Sequence, residues 1–381
     1  MNRLSDLNIS NQNLVIRVDM NVPIEDGVVT DNTRILACMP TIKFAQKSNA
    51  KILLVTHLGR PKEDIFDKNF SLKPVATEVS KILDHEVDLI DNLDSTKIFN
   101  GSSDIQILEN IRFFEGEKSN CNKLGKSLSS LGDIYVFDAF GTSHREQSST
   151  HSAIVNSNLS CAGLLLEKEI DSLTKALNES QNPYTAIIGG AKVSTKLELI
   201  KNINSKADHI IVGGGIANTF LKAAGHEIGI SLCEESMVGI AKELLNDGKI
   251  ILPDTVITSK TFEGEDIKEK HISEVKKNEM ILDQFLNDEI DNAISSSNTI
   301  LWNGPLGVFE NKSFKEGTEQ LSNAIAKSNA FSIAGGGETL SAINKFINKD
   351  DVSYCSTGGG AFLEFMEGKD LPSIAALKAK I

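Results

Sequence analysis

Residues 13–21 read NLVIRVDMN, a short apolar run, NLVIRV at 13–18, that stops abruptly on Asp19 and Asn21. Similar runs recur at 51–55 (KILLV), 105–108 (IQIL) and 134–138 (IYVFD). A second set lies at 184–188 (YTAII), 209–212 (HIIV), 250–252 (IIL), 299–302 (TILW), 330–334 (AFSIA) and 352–355 (VSYC). Continuous apolar runs without strict alternation suit parallel strands buried on both faces. Helix-length spacers between them make βαβ units. The expectation is an α/β chain of two doubly wound domains with parallel central sheets. Its 381 residues suit two domains better than one core. Residues 168–180 (KEIDSLTKALNES) place Ile170, Leu173 and Leu177 on one helical face, with Asn182-Pro183 closing the segment, so a helix is expected to connect the domains.

The strand ends carry the chemistry. Asp19 and Asn21 follow the first run, Thr56-His57-Leu58-Gly59-Arg60-Pro61 the second, and Glu109-Asn110-Ile111-Arg112 the third. Ala139-Phe140-Gly141-Thr142-Ser143-His144-Arg145 follows the fourth. The second set ends on Gly189-Gly190, Gly213–Gly215, Asn303-Gly304-Pro305, Gly335–Gly337 and Gly358–Gly360. Open α/β sheets bind ligands outside the carboxyl ends of their strands.

The two halves differ in how they can meet an anion. All six arginines (Arg3, Arg17, Arg34, Arg60, Arg112 and Arg145) lie in the first 145 residues, while lysines run throughout. A guanidinium fork matches carboxylate and phosphate oxygens two at a time. Residues 1–170 hold 18 basic against 23 acidic side chains, and the whole chain carries −13. The arginines must therefore act as a local cluster for a compact anion. A basic face for nucleic acid is excluded. Arg3 is expected to be solvated at a frayed terminus, and Arg17, inside a strand, to serve a structural pair. Five widely spaced cysteines without a CxxC pair read as reduced thiols. No apolar run is long enough for a membrane span or signal peptide, so the expected location is cytoplasmic.

Standard nucleotide signatures are missing. Gly125-Lys126-Ser127 has Asn120 where a Walker A loop needs glycine, and no triplet extends to GxGxxG. Glycine loops at helix N-termini are the remaining device, because free amides favour phosphate. In 189–196 (GGAKVSTK), Lys192 and Lys196 are expected four apart on one helical face, where two cations invite a polyanion.

At this point the segments 17–23 (RVDMNVP), 56–61 (THLGRP), 138–145 (DAFGTSHR), 189–196, 302–310 (WNGPLGVFE), 334–339 (AGGGET) and 356–361 (STGGGA) together resemble the phosphoglycerate kinases, in the same order and at similar spacing. The resemblance implies a hinge-bending kinase. Residues 1–168 form the triose-phosphate domain, with the tail 368–381 packing back on it. Residues 169–182 form the connecting helix and 183–367 the nucleotide domain. It implies Asp19, Met20, Asn21, Arg34, His57, Gly59, Arg60, Arg112, His144 and Arg145 around 3-phosphoglycerate or 1,3-bisphosphoglycerate. Gly190, Lys196, Gly214, Asn303, Gly304, Leu306, Glu310, Gly336, Gly337, Glu338 and Thr339 are implied around ADP or ATP. Arg34, Lys192, Lys196 and Gly359 are implied at the transferring phosphoryl group. Glu338 is the implied ligand of the nucleotide's Mg²⁺, and the expected state is a monomer.

Two positions depart from that pattern. Glu338 stands where the family usually has aspartate, which adds roughly 1.5 Å of reach at a near-octahedral ion. Thr195 replaces a common aspartate. A nicotinamide dehydrogenase is the competing reading from sheet architecture alone, and the missing GxGxxG weighs against it.

Overall fold

The computed structural model describes residues 1–94 and 96–380. Contacts divide the chain into two units, Met1–Asp171 with the residues from Asp370 onward, and Ser172–Lys369.

The first unit contains β1 (Asn13–Val18), a hairpin of β2 (Ile24–Glu25) and β3 (Val28–Val29), β4 (Lys51–Val55), β5 (Asp88–Ile90), β6 (Ile105–Leu108), β7 (Ile134–Asp138) and β8 (Ser160–Ala162). Six of these form one sheet in the order β5-β6-β4-β1-β7-β8, every pair parallel. β1 is buried from Leu14 to Val18 between β4 and β7, as an apolar run without alternation requires. Leu14, Ile16, Ile52, Leu54, Ile105, Ile107 and Val136 pack with Ile35, Cys38 and Ile42 of the helix Thr33–Lys47. The strand order reverses between β1 and β7, and that switch point opens a crevice at the carboxyl ends.

The second unit holds β9 (Tyr184–Gly189), β10 (His209–Gly213) and β11 (Ile250–Ile251). An insert follows, of β12 (Thr255–Ser259), β13 (Lys268–His271) and β14 (Met280–Gln284). Then come β15 (Thr299–Asn303), β16 (Phe331–Gly335) and β17 (Tyr354–Ser356). The main sheet runs β11-β10-β9-β15-β16-β17, all parallel, with its switch point between β9 and β15. The insert is a separate antiparallel sheet, β13-β12-β14. The expected architecture of two parallel, doubly wound sheets is therefore present.

The connecting helix runs Leu164–Asn178, starting earlier than the expected residue 169 and spanning the division between the units. Asp138, fully buried at the end of β7, accepts from the Leu166 amide in its first turn at 2.9 Å. Arg3 is not a frayed residue. Ala162 of β8 donates to the Asn2 carbonyl at 3.0 Å, and this places Arg3 in a bidentate pair with Asp171 of the helix, both contacts 2.7 Å. After Asp370 the chain ends in the helix Pro372–Lys378, which buries Ser373, Ile374, Ala376 and Leu377. The Ser373 amide donates to the Ser143 carbonyl at 3.1 Å, beside His144 and Arg145.

Burial pushes the Asp138 carboxyl up to about 6. A raised carboxyl pKa gives stability that is complete below the unfolded value near 4 and is lost as pH rises through 6. Asp138→Asn keeps an oxygen acceptor without the charge. Its stability relative to wild type should increase between pH 4 and pH 7.5, by up to about 3 kcal/mol; urea denaturation at the two pH values checks this.

Candidate active site

Four strand ends of the first unit bring its polar residues together. Asp19 and Asn21 leave β1; His57 and Gly59 leave β4; Arg112 lies in the turn after β6; His144 and Arg145 follow β7. Arg34, in the first turn of the helix Thr33–Lys47, reaches back to Asp19 Oδ2 at 3.1 Å and the Asn21 carbonyl at 3.4 Å. Asn21 Oδ1 accepts from the Gly59 amide at 2.9 Å. Gly59 has φ +58°, and a Cβ there would fall 2.3 Å from the Phe70 ring. Its carbonyl accepts from the Arg112 guanidinium. Asn110 clamps this turn, accepting from the Leu58 and Arg112 amides at 3.2 and 3.1 Å and donating to the Leu58 and Phe70 carbonyls.

The electrostatics identify a cation cluster. Burial, then Arg17, Arg112, Arg145 and Arg34 hold His57 well below the ordinary histidine range, so the imidazole is neutral at pH 7. Burial, then Arg145 and Arg17, lower Arg112 to about 10; Glu117 opposes them and the exposed Arg60 adds a smaller push. Cations close enough to Arg112 and His57 to lower both pKa values share one small volume, an arrangement suited to a multiply charged anion.

Two residues behave differently from their expected roles. Met20 is completely buried in the core, and only its amide, donating to Thr56 Oγ1 at 2.9 Å, faces this network. Arg17 is 1% exposed, and one guanidinium nitrogen lies 3.3 Å from His57 Nδ1, so it joins the cluster. An arginine inside an apolar strand was the available signal. Its partners Ser149 and His57 are 132 and 40 residues away and carry no mark in the sequence.

In the second unit the strand ends approach one another through glycine. Gly304 has φ +125°, and a Cβ would fall 2.3 Å from the Gly189 carbonyl. This contact places Asn303 beside Lys196, whose ammonium donates to the Gly189 carbonyl at 2.7 Å, the Asn303 carbonyl at 2.9 Å and Asn303 Oδ1. Asn303 in turn donates to the Gly335 carbonyl at 2.6 Å, and Thr339 Oγ1 accepts from the Gly304 amide at 2.8 Å. Gly336 caps the helix Gly337–Phe346, whose first turn carries Glu338, exposed but close enough to raise the pKa of Lys196. Gly190 accepts from the Ile216 amide at 3.0 Å, and Gly214 donates to the Leu306 carbonyl at 2.9 Å. Glu310 is exposed beyond β15, and Gly359 caps the short helix Gly360–Met366 with open space around its α-carbon.

Lys192 and Lys196 do not share a helical face. The chain makes a 3-10 turn at Val193–Thr195 first, and the helix starts at Leu197. The Thr195 hydroxyl bonds back to the Lys192 carbonyl at 2.7 Å, while Lys196 is itself non-helical, with φ −128°. Lys192 is exposed in extended backbone; hydrogen bonds from Ser194 chiefly lower the pKa of Glu234, and the Lys192 charge adds to this.

A cavity of about 400 Å³ adjoins Gly214 and Leu306, lined by Ile230, Leu232, Phe262 and Val308. Ile230, Leu232 and Phe262 are each more than half exposed. Part of its wall comes from β14 of the insert, which the sequence reading did not find. Asp283 lies at its back, 1% exposed, accepting from the Gln284 and Gly317 amides at 3.0 and 2.9 Å.

A profile of the family described as phosphoglycerate kinase matches residues 4–369. The chain belongs to the phosphoglycerate kinase family. A phosphoglycerate kinase from Vibrio campbellii is 47% identical over 99% of this chain and 98% of its own length. The solved phosphoglycerate kinase of Coxiella burnetii superposes with a TM-score of 0.93 at 43% identity, covering 99% of each chain. That of Pyrococcus horikoshii gives 0.82 at 31% identity, over 100% of this chain and 99% of its own. Membership of the phosphoglycerate kinase family makes the chain a phosphotransferase, and the family reaction is reversible phosphoryl transfer between 1,3-bisphosphoglycerate and ADP. No helix among the described residues is long and apolar enough to cross a membrane.

Burial lowers the pKa of Lys196 to about 8, against the raising effect of Glu338. A phosphate group placed at Lys196 would be held by the protonated form below pH 8 and released above it. We expect kcat/KM for ADP to fall by up to about tenfold per pH unit above 8. In Lys196→Arg that limb should disappear from the pH profile, whatever the remaining rate.

Proposed function

We propose that the arginine cluster of the first unit holds the triose substrate and that the strand ends of the second unit hold the nucleotide. The observation that carries the first assignment is the gathering of cations around a neutral His57, where burial and then Arg145 and Arg17 lower the pKa of Arg112. Arg34, Arg60, Arg112 and Arg145 would bind phosphate and carboxylate oxygens, with His57, His144 and Asn21 as hydrogen-bond partners and Asp19 orienting Arg34. In the second unit, the apolar cavity beside Gly214 and Leu306 suits a nucleobase. Gly190, Asn303, Gly304, Gly336, Gly337 and Thr339 build the phosphate-facing floor, and Glu310 suits a ribose hydroxyl.

The chemistry asked of these residues is modest. The acceptor carboxylate of 3-phosphoglycerate is ionised at pH 7, so no general base is needed. Alignment and neutralisation of charge suffice. Arg34 and Lys196 would stabilise the transferring phosphoryl group, with Lys192 and the Gly359 amide as further donors. Among the described residues, no three His, Cys, Asp or Glu side chains gather as a metal cage. One carboxylate is enough for an ion carried mainly by nucleotide phosphates and water. Glu338, exposed in the first helical turn near Lys196, fits that part. When bound, Mg²⁺ would neutralise phosphate charge.

The proposed domains are 1–168 with 368–381 for the triose and 183–367 for the nucleotide, with 169–182 as the connector. Two ligands on separate domains must be brought together, and closure also excludes water from an acyl phosphate. We further propose a cytoplasmic monomer. Purified protein should form ATP from ADP and 1,3-bisphosphoglycerate in a coupled assay. Its radius of gyration by small-angle scattering should fall when both 3-phosphoglycerate and Mg-ATP are present. An unchanged scattering curve in the doubly liganded complex contradicts closure.

A further inference from the structure

We propose that Arg17 is a positioning residue that fixes His57 as the imidazole tautomer carrying its proton on Nε2. The proposal rests on the reading of His57 as part of the triose site. Arg17 lies inside β1 and is fully enclosed. Its Nε donates to Ser149 Oγ at 3.0 Å, one terminal nitrogen donates to the Val18 carbonyl, and the other lies 3.3 Å from His57 Nδ1.

A guanidinium has donors and no acceptor, so the Nδ1 facing it must be the unprotonated nitrogen. The direction of the network leaves no alternative arrangement at the other end. The Ser149 hydroxyl donates to Glu117 Oε1 at 2.6 Å and can therefore only accept from Arg17. The Ser149 amide donates to Glu117 Oε2 at 2.9 Å, and its carbonyl accepts from the Tyr135 hydroxyl at 2.6 Å. Ser149 and Glu117 are both wholly buried, so the anchor of Arg17 is rigid.

One competitor faces the same ring nitrogen. Asp19 Oδ1 lies 3.9 Å from His57 Nδ1, beyond hydrogen-bond range. It accepts instead from the Asn21 amide at 3.3 Å, and Oδ2 is taken by Arg34. A proton on Nδ1 would stand donor against donor with Arg17. The other charges around the ring, Arg34, Arg112 and Arg145, oppose a second proton. His57 therefore offers an anion one neutral N–H from Nε2, and that donor does not change with pH across the working range. Without Arg17, Nδ1 is free to take the proton and turn towards Asp19.

The test is a two-bond ¹H–¹⁵N correlation of the histidine ring nitrogens in the full-length protein, with the His57 pattern assigned by its loss in His57→Gln. In wild type we expect an unprotonated Nδ1 and a protonated Nε2, unchanged from pH 6 to 8.5. In Arg17→Met the pattern should change to mixed tautomers or to a ring that titrates within that range. KM for 3-phosphoglycerate should rise at least about tenfold and become pH-dependent. Ser149→Ala, which removes one anchor of Arg17, should give a weaker version of both changes and serves if Arg17→Met does not fold. A protonated Nδ1 in wild type at pH 7 overturns the proposal, as does an unaltered ring pattern in folded Arg17→Met. Failure of the triose-site reading would look different: His57→Gln would bind 3-phosphoglycerate normally while the wild-type ring still showed the Nε2 proton.

Discussion

Lys196→Met should lower kcat by about 10²–10³, the cost of removing a donor aimed at charge that develops in the transition state. The ammonium is half-buried and held by the Gly189 carbonyl and by two oxygens of Asn303. Its three donors are all taken by these oxygens, so a phosphate oxygen would have to replace at least one of them. Methionine keeps most of the aliphatic stem and removes only the charge and donors. Because the same ammonium is expected to hold the ground-state nucleotide as well, KM for ADP should also rise, and kcat/KM should fall further than kcat. A rise confined to KM for ADP would instead assign it to ground-state binding. Steady-state rates on protein with an unchanged thermal midpoint decide between these outcomes.

Arg34→Ala should cost a comparable factor, about 10²–10³ in kcat. Its guanidinium is partly exposed, with 39% of the side chain accessible, and is tied at one nitrogen to Asp19. The remaining donors of the fork are available for a transferring phosphoryl group. Arg34→Lys retains the charge but loses the planar fork and should recover only part of the rate. The fold should survive either change, because Arg34 is not part of the buried core. Near-normal turnover in Arg34→Ala would remove it from the phosphoryl-transfer step.

The sheets were legible because parallel strands buried on both faces leave apolar runs without alternation, as in Ile52–Val55 and, with Arg17 as its one polar residue, Leu14–Val18. Most elements that escaped notice lack that signature, although β14 (MILDQ) carries a short apolar run. β5 and β8 are three-residue edge strands, and β13 (KEKH) has no apolar residue. Its sheet is nevertheless consequential, because β14 forms part of the cavity wall beside Gly214. The strand-end residues were also readable, since type and position coincide there. Relations across the chain were not. Nothing local shows that Arg3 meets Asp171, or that Arg17 meets Ser149 and His57. Helical spacing misled at GGAKVSTK, where a 3-10 turn separates Lys192 from the helix that Leu197 begins. The arginine boundary at residue 145 retains a physical meaning: arginines cluster in the first unit, while the second offers Lys196 and glycine-rich strand ends.

The central claim is that the two units bind different substrates through those different devices. Isothermal titration of 3-phosphoglycerate and of Mg-ADP into Arg112→Met and Lys196→Met tests it most directly. Arg112→Met should weaken 3-phosphoglycerate at least about tenfold while leaving Mg-ADP within about twofold of wild type, and Lys196→Met should do the reverse. Equal weakening of both ligands by either substitution, or normal 3-phosphoglycerate binding to Arg112→Met, would contradict the division.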